Sequence, residues 1–204
     1  MARVNIRGLE AEIAAKGYKV FKPAAQLRIE RALQKEAQKL ITDFESHPVT
    51  QEIEGGPNAG NQSNTLGGYG NLFSFIGFDK ESDPISPIRS LLARSITIKS
   101  FRKKRNVLGF KLVFTVPTTE EIKEVSPMPW STESWTEAVE RGISGLSQYL
   151  YSSEKSYKAS RSGPAVQLDF DVTGRGRGNS SPTDYISGIL SRMLKSIEAS
   201  LKRI

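Results

Sequence analysis

The chain has 204 residues, of which 37% are hydrophobic, with a net charge of +7 and no cysteine. Such a length holds one domain with a core, and the modest apolar share leaves room for sizeable polar loops. Absence of cysteine excludes disulfides and thiolate chemistry and fits a reducing compartment; no apolar run approaches the roughly 20 residues of a membrane span. The opening MARVNIRGLEAEI lacks the apolar core of a signal peptide, so a soluble protein retained in the cell that makes it is expected. The basic balance favours nucleic acid or acidic protein surfaces as partners, or is an ordinary soluble surface with no specific partner.

Residues 1–22 form an expected N-terminal arm: a short strand at Val4 and Ile6, then a short helix from Leu9 to Lys16 stopped by Gly17. From Pro23, which suits a first helical turn, Ile29, Leu33, Ala37, Leu40, Ile41 and Phe44 recur at helical steps. Pro48 limits that helix, because the residue before a proline avoids helical angles.

A long polar and glycine-rich loop, residues 54–71, follows and ends in TLGGYGNLFSFIGF. Loops of this length inside a domain are usually functional or disordered. Leu72, Phe73, Phe75, Ile76 and Phe78 are too apolar to stand in water alone, and are expected as a core or interface anchor.

Two prolines then frame a short helix over about Pro87 to Arg94. Ser95 to Phe101 and Val107 to Val116 read as strands, the second with strict alternation at Leu108, Phe110, Leu112, Phe114 and Val116. Arg102, Lys103, Lys104 and Arg105 fall at the tip of the hairpin between them. After a linker with Pro127 and Pro129 comes a helix with Trp135, Val139, Ile143, Leu146 and Leu150 on one face, capped by Ser131 or Thr132. Trp130 and Trp135 are its expected packing anchors. Gly142 and Gly145 inside it imply a close partner or a bend.

Residues 152–163 read as a surface loop, and Pro164 to Val172 as a third strand with Val166, Leu168, Phe170 and Val172 on one face. GRGRGN follows, then Ser181-Pro182-Thr183-Asp184, which is patterned like a capping box. The last helix carries Ile186, Ile189, Leu190, Met193, Leu194, Ile197 and Leu201 in one stripe. The whole reads as a single α+β domain: an antiparallel or mixed sheet of three to five strands with amphipathic helices on one face, plus long loops and arms.

Little here points to catalysis. His47 is the only histidine and has no cysteine to complete a metal site. A Ser-His-Asp triad would need that same histidine. Asp169 and Asp171 share a strand face and could hold a divalent cation, but match the polar outer face of an ordinary strand better. Gly174 to Gly178 lacks both GxGxxG spacing and a Walker lysine, although a loop before a helix can take phosphate. Arg102, Lys103, Lys104 and Arg105, with Arg175 and Arg177, are candidate contacts to DNA phosphates or to an acidic protein partner. No catalytic residue, metal or cofactor is expected, and the alternative to a structural role is a basic nucleic-acid-binding module.

Three stretches carry a resemblance: HPVTQEI with the glycine-rich loop into LGGYGNLFSFIGF, then PMPWSTESWTEAVERGISGLSQYLY, then SRSGPAVQ. Together they resemble virion structural proteins of tailed bacteriophages, of the neck or tail-completion kind that join head to tail, over about half of the chain. The resemblance implies a small α+β subunit in a closed homo-oligomeric ring, six-fold or twelve-fold, around the DNA path. It implies adjoining neck and tail proteins as partners, contact with packaged DNA, no membrane, and a place in the virion. No tail-tube or portal signature fixes the position further.

Overall fold

The computed structural model describes residues 6–67, 70–103, 110–143 and 180–201, with the backbone path alone at residues 6–16, 18, 95, 103 and 110. Within them lie seven helices and a two-stranded antiparallel sheet. The mixed α+β class is therefore present; the third strand expected at 164–172 falls outside the described residues.

The first helix, α1, is one 40-residue element, Ile6–Glu45, with Pro23 inside it. This corrects the expected strand at Ile6, the stop at Gly17 and the start at Pro23. Alanine, leucine, glutamine, lysine and glutamate dominate the segment, and their propensities carry the helix through Gly8, Gly17 and Pro23. At 1.5 Å per residue it is about 60 Å long. Its C-terminal half buries Ile29, Leu33, Glu36, Leu40 and Phe44, spaced four, three, four and four residues apart along one face.

Two short helices follow: α2, Pro48–Glu54, and, after a 3-10 turn at Gly56–Asn58, α3, Leu72–Ile76. Pro48 does end α1, but it also opens α2, where its missing N–H is harmless. Helix α4, Ser86–Ser95, closely matches the expected span. Strand β1, Thr97–Lys103, pairs with β2, Phe110–Thr115. Helix α5, Thr119–Glu124, was not anticipated, although Thr118 and Glu121 form a reciprocal capping box.

Helix α6, Trp135–Arg141, is capped by Ser134 rather than Ser131 or Thr132 and ends at Gly142, while Leu146 and Leu150 of the expected face lie outside the described residues. Gly142 has φ +82, and a Cβ there would lie 2.9 Å from the Ser180 carbonyl oxygen. The glycine thus marks a chain exit and a close approach, and Gly145 lies outside the described residues. The last helix, α7, Ile186–Leu201, starts later than the expected capping box. Residues 180 and 181 are drawn away from helical pairing: the Ser180 N–H donates to the Ile143 carbonyl at 2.8 Å and the Ser181 N–H to the Thr65 carbonyl at 2.7 Å. The first turn of α7 is capped from α6, where a Glu140 carboxylate oxygen accepts the Ser187 N–H at 2.6 Å.

Helix α7 lies antiparallel along α1, for Phe44 stacks on Tyr185 at one end while Ser200 meets Glu36 at the other. Its stripe is buried at Ile186, Ile189, Leu190, Met193 and Ile197, with Leu194 left exposed. One core joins α1, α2, α3, α4, α6 and α7, and one face of the hairpin packs on it.

Candidate functional site

The loop over 54–71 and its anchor are built around a buried carboxylate. Glu52 is fully buried on α2; one oxygen accepts the Ser63 N–H at 2.7 Å and the other the Leu72 N–H at 2.6 Å. One side chain thereby holds the middle of the loop and the start of α3 together. Asn71 adds a second clamp. Its carbonyl oxygen accepts the Ser74 N–H at 2.8 Å, capping α3, while its amide donates to the Pro57 and Ala59 carbonyls. Gly77, at φ +85, ends α3 in the left-handed conformation, with the Gly77 and Phe78 N–H groups returning to the Phe73 carbonyl.

Leu72, Phe73, Phe75, Ile76 and Phe78 are all buried inside the chain, so as a set they are core, held by Glu52 and Asn71. From Phe73 the aromatic contacts run through Phe78 (5.3 Å) to Trp135 (6.0 Å, edge on), then Tyr185 (6.0 Å) and Phe44 (6.2 Å). The two tryptophans differ. Trp135 is fully buried and anchors α6. Trp130 remains 45% exposed, its indole N–H donating to the Ile76 carbonyl at 2.7 Å and its ring lying over Gly77.

His47 is a structural cap. Its Nδ1 accepts the Val49 N–H at 3.3 Å, so Nε2 carries the proton that it donates to the Asp184 carbonyl at 3.0 Å. Burial holds its pKa below the ordinary 6.5, more than the Asp184 hydrogen bond raises it. Its ring lies 4.8 Å from that of Tyr185, whose hydroxyl meets Thr50 at 2.8 Å and is pushed to a higher pKa by complete burial. Among the described residues no group of three or more His, Cys, Asp or Glu is placed to hold a metal ion. Asp169, Asp171 and Gly174 to Gly178 lie outside the described residues.

The basic hairpin has an unanticipated geometry. Ile98 pairs with Phe114 but Ser100 with Val113, so Lys99 is an extra residue, a bulge in β1. The bulge shifts the alternation by one. Phe101 thereby joins Ile96, Ile98, Leu112, Phe114 and Val116 on the core side. Arg102 is turned outward, directly opposite Lys111. Lys99, Arg102 and Lys111 are all exposed. Like charges facing each other across strands destabilise a hairpin. Lys103 ends β1 with its side chain undescribed, and Lys104, Arg105, Arg175 and Arg177 lie outside the described residues.

The third feature is the N-terminal half of α1. Val20, Phe21 and Leu27 are 71%, 57% and 47% exposed. A helix that is part of the core from Ile29 onward thus carries bare apolar residues before it.

No protein-family model matches the chain, and no curated protein or solved structure does so either. Among the described residues no helix is long and apolar enough to cross a membrane.

Proposed function

We propose that the chain is a virion structural protein of a tailed bacteriophage, assembling without catalysis into a homo-oligomeric ring, six-fold or twelve-fold, at the neck or head-proximal end of the tail. There it joins head to tail and contacts adjoining neck and tail proteins. The observation that carries the assembly part is α1: one rigid element serves as core at Ile29 to Phe44 and leaves Val20, Phe21 and Leu27 uncovered. Contiguous apolar surface marks contact sites, and Val20 and Leu27, seven residues apart, share one side of the helix. The phage assignment rests on the resemblance of HPVTQEI, LGGYGNLFSFIGF and PMPWSTESWTEAVERGISGLSQYLY. The proposal includes a third strand over 164–172 extending the hairpin, as its alternation suggests.

Absolute mass by light scattering, followed by negative-stain imaging, tests it. A closed six- or twelve-fold ring is expected, alone or on addition of head and tail extracts. A chain that stays monomeric in both conditions refutes it.

A nucleic-acid-binding module is the second reading, favoured by the outward Arg102 and Lys111 pair. Two cations held opposite each other gain from a phosphate between them. Duplex DNA titrated across a salt series should bind with a negative log–log slope that flattens in Arg102→Gln. A slope unchanged by that substitution removes the hairpin from the contact.

A further inference from the structure

The N-terminal half of α1 is basic and free of acids over a long stretch, as are residues 84–119. From Ile13 to Ile29 there is no acidic residue, and Lys16, Lys19, Lys22 and Arg28 give the segment a charge of +4. Lys19, Val20, Phe21, Leu27 and Arg28 are all exposed. Over residues 119–141 the balance is reversed, with six glutamates against Lys123 and Arg141 leaving −4. Helices α5 and α6 bring two of these acids together, for Lys123 sits 3.6 Å from Glu120 and 3.3 Å from Glu137, across the two helices. Glu124 on α5 is exposed, as is Glu133, which pairs with Arg141 at 3.5 Å, and the loop between α5 and α6 holds the half-exposed Trp130.

Both surfaces are open in the folded chain. The arm continues a helix that is part of the core from Ile29 onward, and its Val20, Phe21 and Leu27 are exposed. A chain with a net charge of +7 overall thus holds a segment of −4 over residues 119–141 and a basic arm with Lys19 and Arg28 exposed beside its apolar residues. We infer that the basic arm of one copy, around Lys19 to Arg28, docks on the acidic α5–α6 face of a second copy. Val20, Phe21 and Leu27 then cover apolar surface near Trp130, and the charges set orientation and encounter rate. The contact joins two different patches, so it repeats head to tail and closes into a ring where the rotation allows. It rests on the ring proposed above and supplies the contact that builds it.

Charge reversal tests it. One variant carries K19E and R28E, another E124K and E133K, and a third all four. Light scattering and sedimentation at about 0.15 M salt give mass and self-association, and circular dichroism gives helix content. Each double reversal should weaken self-association at least about ten-fold. The fourfold variant, with both signs exchanged, should restore it, as should a one-to-one mixture of the two double variants. Wild-type assembly should also loosen as salt rises. A ring whose mass and salt response ignore either reversal overturns the inference while leaving the ring standing. Loss in the double variants without rescue in the fourfold one overturns it as well, pointing to another occupant of the arm. A wild type that never associates, alone or with head and tail extracts, overturns both.

Discussion

Replacing Glu52 by alanine removes the acceptor for two backbone N–H groups at once. The Ser63 and Leu72 amides, at 2.7 and 2.6 Å in the native chain, would be left without it, and Leu72 lies at the fully buried start of α3. A buried donor left unsatisfied costs about 1–3 kcal/mol, so the pair amounts to about 2–6 kcal/mol. Release of the buried charge from its desolvation offsets part of this, which places the net loss near 3 kcal/mol. That is a large share of the roughly 5–15 kcal/mol that holds a domain folded. With a urea slope of about 2 kcal/mol/M, the unfolding midpoint should fall by about 1.5 M. Hydrogen exchange should quicken at the Ser63 and Leu72 amides before other sites respond, since the loop is released first. Glu52→Gln keeps one carbonyl but turns an NH2 toward the other donor, and should lose about half as much. A midpoint for Glu52→Ala within about 0.3 M of wild type, with both amides still protected, would show that the clamp holds nothing.

Lys111→Glu turns the Arg102 pairing from like to opposite charge, so it should stabilise the hairpin by about 0.2–1 kcal/mol while weakening DNA affinity; a melting scan and fluorescence anisotropy on one preparation check both signs. Gly142→Ala should destabilise more than Gly77→Ala in denaturant titrations. Both have positive φ, but an added Cβ meets the Ser180 carbonyl at 2.9 Å in the first and only the Trp130 ring at 3.8 Å in the second. His47 is held neutral by burial, with its pKa below 6.5. The unfolded chain therefore takes up the proton first as pH falls. The fold should lose stability from about pH 6.5 downward until the native imidazole also protonates. Arg192, Asp184 and Glu140 face the same ring and act in opposed directions. Because other groups titrate too, the measurement is the difference between wild type and His47→Asn, whose denaturation midpoints should converge on acidification.

Periodicity was legible where an element has one wet and one dry face. The α7 stripe falls where spacing places it except at Leu194, and Leu112, Phe114 and Val116 of the β2 alternation face the core, because each element turns one side to the core and the other to water. Legibility failed where tertiary contact overrode local preference. In α1 the breakers themselves misled: Gly17 and Pro23 each disfavour helix, but the helix formers around them outweigh both. The halt of α6 at Gly142 depends on residues 180–182 coming close, some forty positions away. The bulge at Lys99 is visible only through the register with β2. Glu52 is the plainest miss: a glutamate in a short helix is assigned to solvent, and only its two amide partners, eleven and twenty residues on, justify burial. For α5 the capping signal is present in Thr118 and Glu121, but the segment bears only one strongly apolar residue, Ile122, so no apolar periodicity marks it.

The unlike settings of the two tryptophans make the chain its own reporter. Trp135, sealed between Phe78 and Tyr185, should emit at short wavelength and resist a dissolved quencher until the core opens. Trp130 should emit to the red and quench freely, because nearly half of it meets water. Its neighbourhood includes the acidic face assigned to the arm, so docking there should shift and shield the red component alone. Unfolding would move both, which lets unlabelled light separate assembly from denaturation in a single cuvette.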